Sequence, residues 1–236
     1  MSDRFFTSEP LAPGEFILSG PDAHHLATVR RFAPGDRVTL FNGDGLEYPS
    51  EIVSTDRKSA VLNVLAAEVV SRELPFDLTI AAAMPKGDRG DFLIEKLVEL
   101  GVTRFVPLLT ERTIVQPKES RLEKLNQAVV EASKQCGRNR LMIIDELTKW
   151  CEFVKHEVSG VKLVLHPGSA NSRRDEPGGS SVTIAVGPEG GFTDSEVQLA
   201  EAAGWNRISL GPRILRVETA AIAAACAFSN PVSSGS

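Results

Sequence analysis

From about residue 76 the chain alternates strand-length apolar runs with helix-length amphipathic ones, and this rhythm constrains the fold more than any other feature. DLTIAAAM (77–84), RFVPLL (104–109), VKLVLHP (161–167), VTIAVGP (182–188) and RISLGP (207–212) are predicted strands. DRGDFLIEKLVELG (88–101), SRLEKLNQAVVEASKQCG (120–137) and VETAAIAAACAF (217–228) are predicted helices. In the first helix Leu93, Leu97 and Leu100 share one face, Glu95, Lys96 and Glu99 are polar, and Gly101 closes the last turn. Strands separated by helices pair in parallel, and a parallel sheet needs cover on both faces, so an α/β domain is expected. The polar, glycine-rich stretch 168–181 is predicted to be an exposed loop, and no internal repeat is found.

The first 72 residues have a different texture. FILSG, DRVTLFNG, LEYPSEIVS and AVLNVLAAEVV are short β-like runs punctuated by turn residues. Asn42-Gly43 and Asp44-Gly45 mark a hairpin tip, and PDAHHLATVRRF, with Pro21 and Asp22 placed to start it, is the one predicted helix. Such a unit hides its strand edges by curling into a small barrel. The expected organisation is therefore a β-barrel domain over 1–72 and an α/β domain over 73–236.

Charge and cysteine usage narrow the function classes. Residues 1–72 carry 7 Lys and Arg against 10 Asp and Glu, and the remainder 19 against 21, so neither part is a general polyanion binder. Contact with RNA would have to come from a local basic face. No apolar run reaches the roughly 18 residues of a membrane span, and MSDRFFTSEP lacks the core of a signal peptide, so a cytoplasmic protein without membrane association is expected. Three widely spaced cysteines and four histidines form no disulfide framework or metal-ligand spacing, so no metal is expected.

Three late strands end in unusual residues: His166-Pro167-Gly168, Gly187 to Gly191, and Leu210-Gly211-Pro212-Arg213. Ligands of open α/β sheets bind beyond the carboxyl ends of the strands, and glycine lets a ligand approach bare backbone groups. If the three strands are neighbours, their loops line one crevice suited to a flat heterocycle. Thr193 and Glu196, three apart, form a capping box that opens a helix directly after the glycines. The P-loop, the dinucleotide GxGxxG and the GxSxG nucleophile elbow are all absent. Arg213 and Arg216 precede the last helix, Arg112 follows the strand 104–109, and Glu131, Lys134, Gln135, Arg138 and Arg140 gather at the end of the second helix. Arginine suits bidentate contact with phosphate or carboxylate. The alternatives are that Arg216 pairs with Glu218 or caps a neighbouring helix, and that the helix-end charges face solvent.

An ordered set of motifs goes further: RFF (4–6), HHLATVRRFAPGD (24–36), KGDRGDFLIEKLVELGV (86–102), ER (111–112), EASKQCGR (131–138), GPEGGFTDSE (187–196) and LGPRILRVETA (210–220). Together they resemble the small-subunit ribosomal RNA uridine-N3 methyltransferases of the SPOUT class over nearly the whole chain. The resemblance implies a PUA-like RNA-binding barrel at the N-terminus and a C-terminal α/β domain with a trefoil knot. It also implies a homodimer, S-adenosyl-L-methionine as methyl donor, and small-subunit ribosomal RNA or the assembled subunit as substrate. The sequence departs from the family pattern at NRLMIIDEL after Arg138, where the connection is expected to be shaped differently. It departs again at Lys96-Leu97-Val98, where position 98 faces the core by periodicity.

On that resemblance the cofactor would lie among Leu165, His166, Pro167, Gly187, Pro188, Glu189, Gly190, Gly191, Leu210, Gly211, Arg213, Ile214 and Leu215. Backbone groups there would bond adenine and ribose, with Glu189 reaching a ribose hydroxyl. Methylation at N3 creates negative charge on the uracil carbonyls, which a cation stabilises. Arg216 and Arg112 are the candidates, with Arg138 next, and solvent takes the proton because no base stands out. Arg4, His24, Arg30 and Arg31 would dock RNA. The rival readings are another methyltransferase of the same fold, acting on ribose 2′-hydroxyls or another base, and a noncatalytic RNA-binding assembly factor.

Overall fold

The computed structural model describes residues 3–26, 32–56, 58–114, 119–156, 160–167 and 181–229. The chain forms two compact units, residues 1–73 with 133–141, and residues 74–132 with 142–236. The nine-residue segment 133–141, from the end of the second long helix, belongs with the first unit.

The first unit contains β1 (Arg4–Phe6), β2 (Gly14–Ser19), α1 (Gly20–His24), β3 (Arg37–Phe41), β4 (Leu46–Thr55), β5 (Ser59–Val64) and β6 (Glu68–Val69). The sheet runs β1-β3-β4-β5-β2 with β6 paired to β4, and all pairs are antiparallel except β1 with β3. Alternation along the strands drives Leu18, Val38, Leu40, Ile52, Leu62 and Val64 inward, where they pack with Ala23 and Leu26 beside α1. The register between β4 and β5 shifts between Ile52 and Ser54, a bulge that leaves Val53 exposed. The predicted helix over PDAHHLATVRRF is found as α1 and a following turn; residues 27–31, including Arg30 and Arg31, lie outside the described residues.

The hairpin tip falls where the turn residues place it. The Asn42 side chain accepts from the Asp44 amide at 3.1 Å, and Asp44 accepts from the Leu46 amide at 2.8 Å. The other Asp44 oxygen accepts from the Tyr48 hydroxyl at 2.6 Å. Burial, that hydrogen bond and the Asp44 charge push the Tyr48 hydroxyl up to about 12 from an ordinary 10. A raised acid loses folded-state stability as the pH climbs from the unfolded value through the folded one, here from about 10 to about 12. Tyr48 is the only tyrosine in the chain. Tyrosinate absorbance is therefore expected to rise in one step near pH 12, or earlier and together with unfolding. A reversible step at pH 10 in the folded protein would contradict the Asp44 contact.

The first unit also takes up two arginines expected to serve function. Arg4 turns inward, pairs with Glu47, donates to the Asn139 side chain and lies 4.9 Å from the centre of the Phe41 ring. Arg72 joins the same Glu47 at 2.7 Å. Burial opposes ionisation of Glu47, but the two arginine hydrogen bonds and their charges outweigh it and hold its carboxyl below the ordinary range. Arg138 is 3% exposed, and its guanidinium bonds both oxygens of Glu73, at 3.1 and 2.6 Å. Asn139 donates to the Val70 carbonyl, and Lys134 bonds Asp22, which also caps the Phe6 amide. The segment 133–141 is therefore a polar staple of this unit. The Arg4 side chain, expected to dock RNA, is thus largely buried and paired within the first unit. Arg138, expected as a third catalytic cation, is likewise buried and paired, with Glu73.

The second unit contains β7 (Asp77–Ala83), α2 (Asp88–Glu99), β8 (Arg104–Leu109), α3 (Glu119–Cys136, whose last turn belongs to the first unit) and β9 (Ile143–Ile144). It continues with β10 (Thr148–Lys149), α4 (Trp150–Phe153), β11 (Val161–Leu165), β12 (Ser181–Val186), α5 (Asp194–Ala202), β13 (Asn206–Ile208) and α6 (Val217–Ser229). The sheet order is β10-β8-β7-β12-β11-β13 with β9 paired to β8, and every pair is parallel, as the alternation requires. α2 buries Leu93, Leu97 and Val98, and its end is closed by the Gly101 amide on Val98 and the Val102 amide on Leu97, a Schellman pair. One face of the sheet packs Ala81, Val106 and Ala185 against Trp150, Phe153, Phe192 and Trp205. The alternate residues Leu78, Ile80, Phe105 and Ile184 are equally buried, so both faces are covered.

The boundaries differ from expectation mainly at β13, which stops at Ile208, because residues 209–216 leave the sheet for the loop before α6. The short element β9 lies within the NRLMIIDEL stretch, β10 and α4 follow it, and all three carry too few residues to show a period. The predicted loop 168–181 lies outside the described residues up to Ser181, which opens β12. Among the described residues no helix is long and apolar enough to cross a membrane, and no cluster of His, Cys, Asp and Glu is arranged to hold a metal ion.

Candidate active site

The three unusual strand ends do meet. β12, β11 and β13 are consecutive neighbours in the sheet and all parallel, so their carboxyl ends open on one side. There the chain encloses a cavity of about 340 Å³. Its wall contains all thirteen residues named above for the cofactor, from Leu165 to Leu215. It also contains Arg112, Val186, Phe192, Asp194, Ile208, Ser209 and Ala220, which sequence reasoning did not assign to this wall. Phe192 and Asp194 sit in the GPEGGFTD run itself, so adjacency to the glycines was the available signal.

Backbone bonds set the shape of the loops. The His166 amide donates to the Ile208 carbonyl at 3.0 Å and ties the β11 loop to the end of β13. The Gly191 amide donates to Pro188 at 2.8 Å and folds the glycine run into a tight turn. At Gly187 a Cβ would lie 2.9 Å from the Phe192 amide nitrogen and 3.1 Å from the Gly191 carbonyl carbon, so only glycine lets the turn close there. Gly211, with φ of +111°, makes the bend at which the chain leaves β13, where Ser209 bonds both its amide and its carbonyl. After the glycines, Thr193 and Glu196 make the reciprocal capping box expected of them.

The cations are arranged unequally. Arg112 donates to the Gly190 carbonyl at 2.6 Å and so lies across the glycine turn. Arg213 lines the cavity and is exposed. Arg216 is the residue whose carbonyl accepts the first bond of α6, from the Ala220 amide at 2.8 Å. Its side chain is exposed and stands outside the cavity wall. Glu218, the alternative partner for Arg216, instead lies near Arg89 at 3.5 Å. His24 is exposed on the first unit, and His25 packs near the Phe5 ring, with centroids 6.3 Å apart.

A cavity of this volume, with mixed apolar and backbone-rich walls, has the dimensions of a small-molecule site. Its position beyond the carboxyl ends of parallel strands is where the ligands of open α/β enzymes bind, and Arg112 and Arg213 stand in its wall. The particular family follows from comparison. Residues 72–229 match the model of the RNA methyltransferase domain, and residues 18–65 match that of the RNA methyltransferase PUA domain. The chain belongs to this RNA methyltransferase family. It is 33% identical to the ribosomal RNA small subunit methyltransferase E of Synechocystis, with 90% of this chain and 72% of that one covered. It is 30% identical to the Bacillus subtilis protein of the same name, with 91% and 89% covered. Among solved structures, the ribosomal RNA small subunit methyltransferase E of Neisseria gonorrhoeae bound to S-adenosyl methionine superposes with a TM-score of 0.88 at 33% identity, covering 96% of each chain. A Legionella pneumophila protein in complex with the bound cofactor SAM gives 0.89 at 34% identity, covering 97% of each.

Proposed function

We propose that this protein transfers a methyl group from S-adenosyl-L-methionine to N3 of a uridine in small-subunit ribosomal RNA. The observation that carries the reading is the union of three parallel strand-end loops around one glycine-cradled cavity, a layout that fits a nucleoside-bearing cofactor. The absent Cβ at Gly187 lets the turn close on Phe192, and the open approach at Gly191 leaves backbone exposed to such a ligand. When bound, the cofactor supplies an activated methyl whose leaving group is a neutral thioether. Leu165, Leu210, Ile214 and Leu215 would enclose the heterocycle, with backbone groups of the glycine turn toward adenine and ribose and Glu189 toward a ribose hydroxyl.

The chain's own residues then align the acceptor and stabilise charge. Alignment in well-oriented systems is worth about 7–11 kcal/mol. N3 lies on the Watson–Crick edge, so the uridine must be unpaired or flipped to reach the cavity. Its imide proton passes to solvent as the N3–methyl bond forms, and Arg216 and Arg112 meet the negative charge on O2 or O4. The barrel unit is proposed to dock RNA, with His24, Arg30 and Arg31 as remaining candidates. The trefoil knot is proposed for the second unit. A homodimer is the proposed working form.

The test is methyl transfer from radiolabelled cofactor to small ribosomal subunits lacking the modification, with the product nucleoside mapped. Label in 3-methyluridine is the expected result. Label in another nucleoside would overturn the target atom, cofactor binding without any label would overturn the substrate, and neither label nor cofactor binding would favour a noncatalytic RNA-binding role. Gly187→Ala should weaken cofactor binding about 5–150-fold by calorimetry, the range corresponding to an overpacking cost of about 1–3 kcal/mol. Unchanged affinity would place the cofactor elsewhere.

A further inference from the structure

The Glu196 carboxylate does more than its capping box requires. It is 6% exposed, and its two oxygens are divided between two loops. Oε2 accepts the Thr193 amide at 2.8 Å, which is the capping bond. Oε1 accepts the Glu111 amide at 2.9 Å, from the turn that follows β8. That turn is tightened from within, because Thr113 Oγ1 accepts the Thr110 amide at 2.9 Å and the Thr113 amide donates to the Thr110 carbonyl at 3.1 Å. The next residue, Arg112, reaches the Gly190 carbonyl at 2.6 Å. The path Glu196–Glu111–Arg112–Gly190 is therefore a closed ring joining the start of α5 to the glycine turn through the β8 loop. Below it, the Trp150 indole donates to the Glu196 carbonyl at 3.1 Å and packs 4.5 Å from the Phe192 ring centre, so the residue is anchored on both sides.

We propose that Glu196 is the positioning residue for Arg112: by accepting the Glu111 amide it sets the β8 turn so that the Arg112 guanidinium is held over the glycine turn of the cavity. Thr193 alone would satisfy an ordinary cap, so the second oxygen is the part that bears on the site. A carboxylate suits this task because it accepts two amides at once, whereas an amide side chain has one acceptor oxygen. A charged acceptor also makes each bond stronger than a neutral one. The inference rests on the proposed methyl transfer for its kinetic consequence but not for the contact itself.

Hydrogen exchange in the whole chain tests the contact. In Glu196→Gln, and in Glu196→Asp should Gln fold poorly, exchange across residues 110–113 is expected to rise at least tenfold. Thr193→Ala, which removes the cap hydroxyl and leaves Oε1 in place, should not change that stretch. Unchanged protection of 110–113 in a folded Glu196 variant would overturn the proposal, whether or not the protein methylates RNA. The kinetic arm is a double-mutant cycle at saturating cofactor. Glu196→Gln is expected to lower turnover about tenfold in the parent and less than twofold in Arg112→Ala, since coupled residues are non-additive. Equal losses in both backgrounds would reduce Glu196 to a helix cap. An inactive parent with the expected exchange pattern would instead count against the methyl-transfer reading and leave the positioning role standing.

Discussion

Arg216→Ala is expected to lower turnover about 100–1000-fold, the usual cost of removing one group that stabilises transition-state charge. Cofactor affinity should stay within about twofold. The expectation rests on placement: the side chain is exposed at the first turn of α6, outside the cavity wall, and Arg213 three residues earlier lines it. A residue so placed adds little to the cofactor's enclosure but is available to the acceptor. The neighbouring carboxylate that would have neutralised it, Glu218, is buried and lies near Arg89 instead. Arg216→Lys keeps the charge without the planar fork and should fall between the two. Single-turnover kinetics with calorimetry separates the two quantities, and a parallel loss of cofactor affinity would remove Arg216 from the acceptor side.

Arg138→Ala is expected to cost about 3–5 kcal/mol of stability, because it leaves Glu73 as an unpaired, largely buried carboxylate. Exposures of 3% and 15% for the two side chains put the pair well inside the first unit. Urea unfolding monitored by circular dichroism measures the loss. Replacing both partners with apolar residues of similar size should recover much of it, since the Coulombic gain of a buried pair is largely offset by desolvation. A variant that keeps full stability but loses methyl transfer would restore Arg138 to the reaction and contradict its role as a staple.

These two arginines look alike in the sequence and are placed differently by the fold. Both stand in motifs, RILR and QCGR, and both are long cations near helix ends. Nothing local distinguishes them. Arg138 is turned inward by Glu73, 65 residues away, and Arg4 by Glu47 and Asn139, 43 and 135 residues away. A cation's function depends on whether a distant carboxylate has already claimed it, and pairing at that range has no period to read. Glu196 is the converse case. Its capping role is a three-residue pattern and was evident, but its hold on Glu111 spans 85 residues and was not.

The sequence by itself determined the classes of structure: a β-rich unit, then a parallel α/β sheet, with glycine turns at the strand ends that became the cavity wall. These follow from local physics, since hydrophobic period selects helix or strand, alternation demands parallel pairing, and glycine runs mark close backbone approach. Tertiary structure alone decided that β12, β11 and β13 are neighbours, that segment 133–141 belongs with the first unit, and which arginines remain available to a substrate. Each of these depends on contacts between residues far apart in the chain, where many pairings are compatible with the same local pattern and only the packed whole selects one.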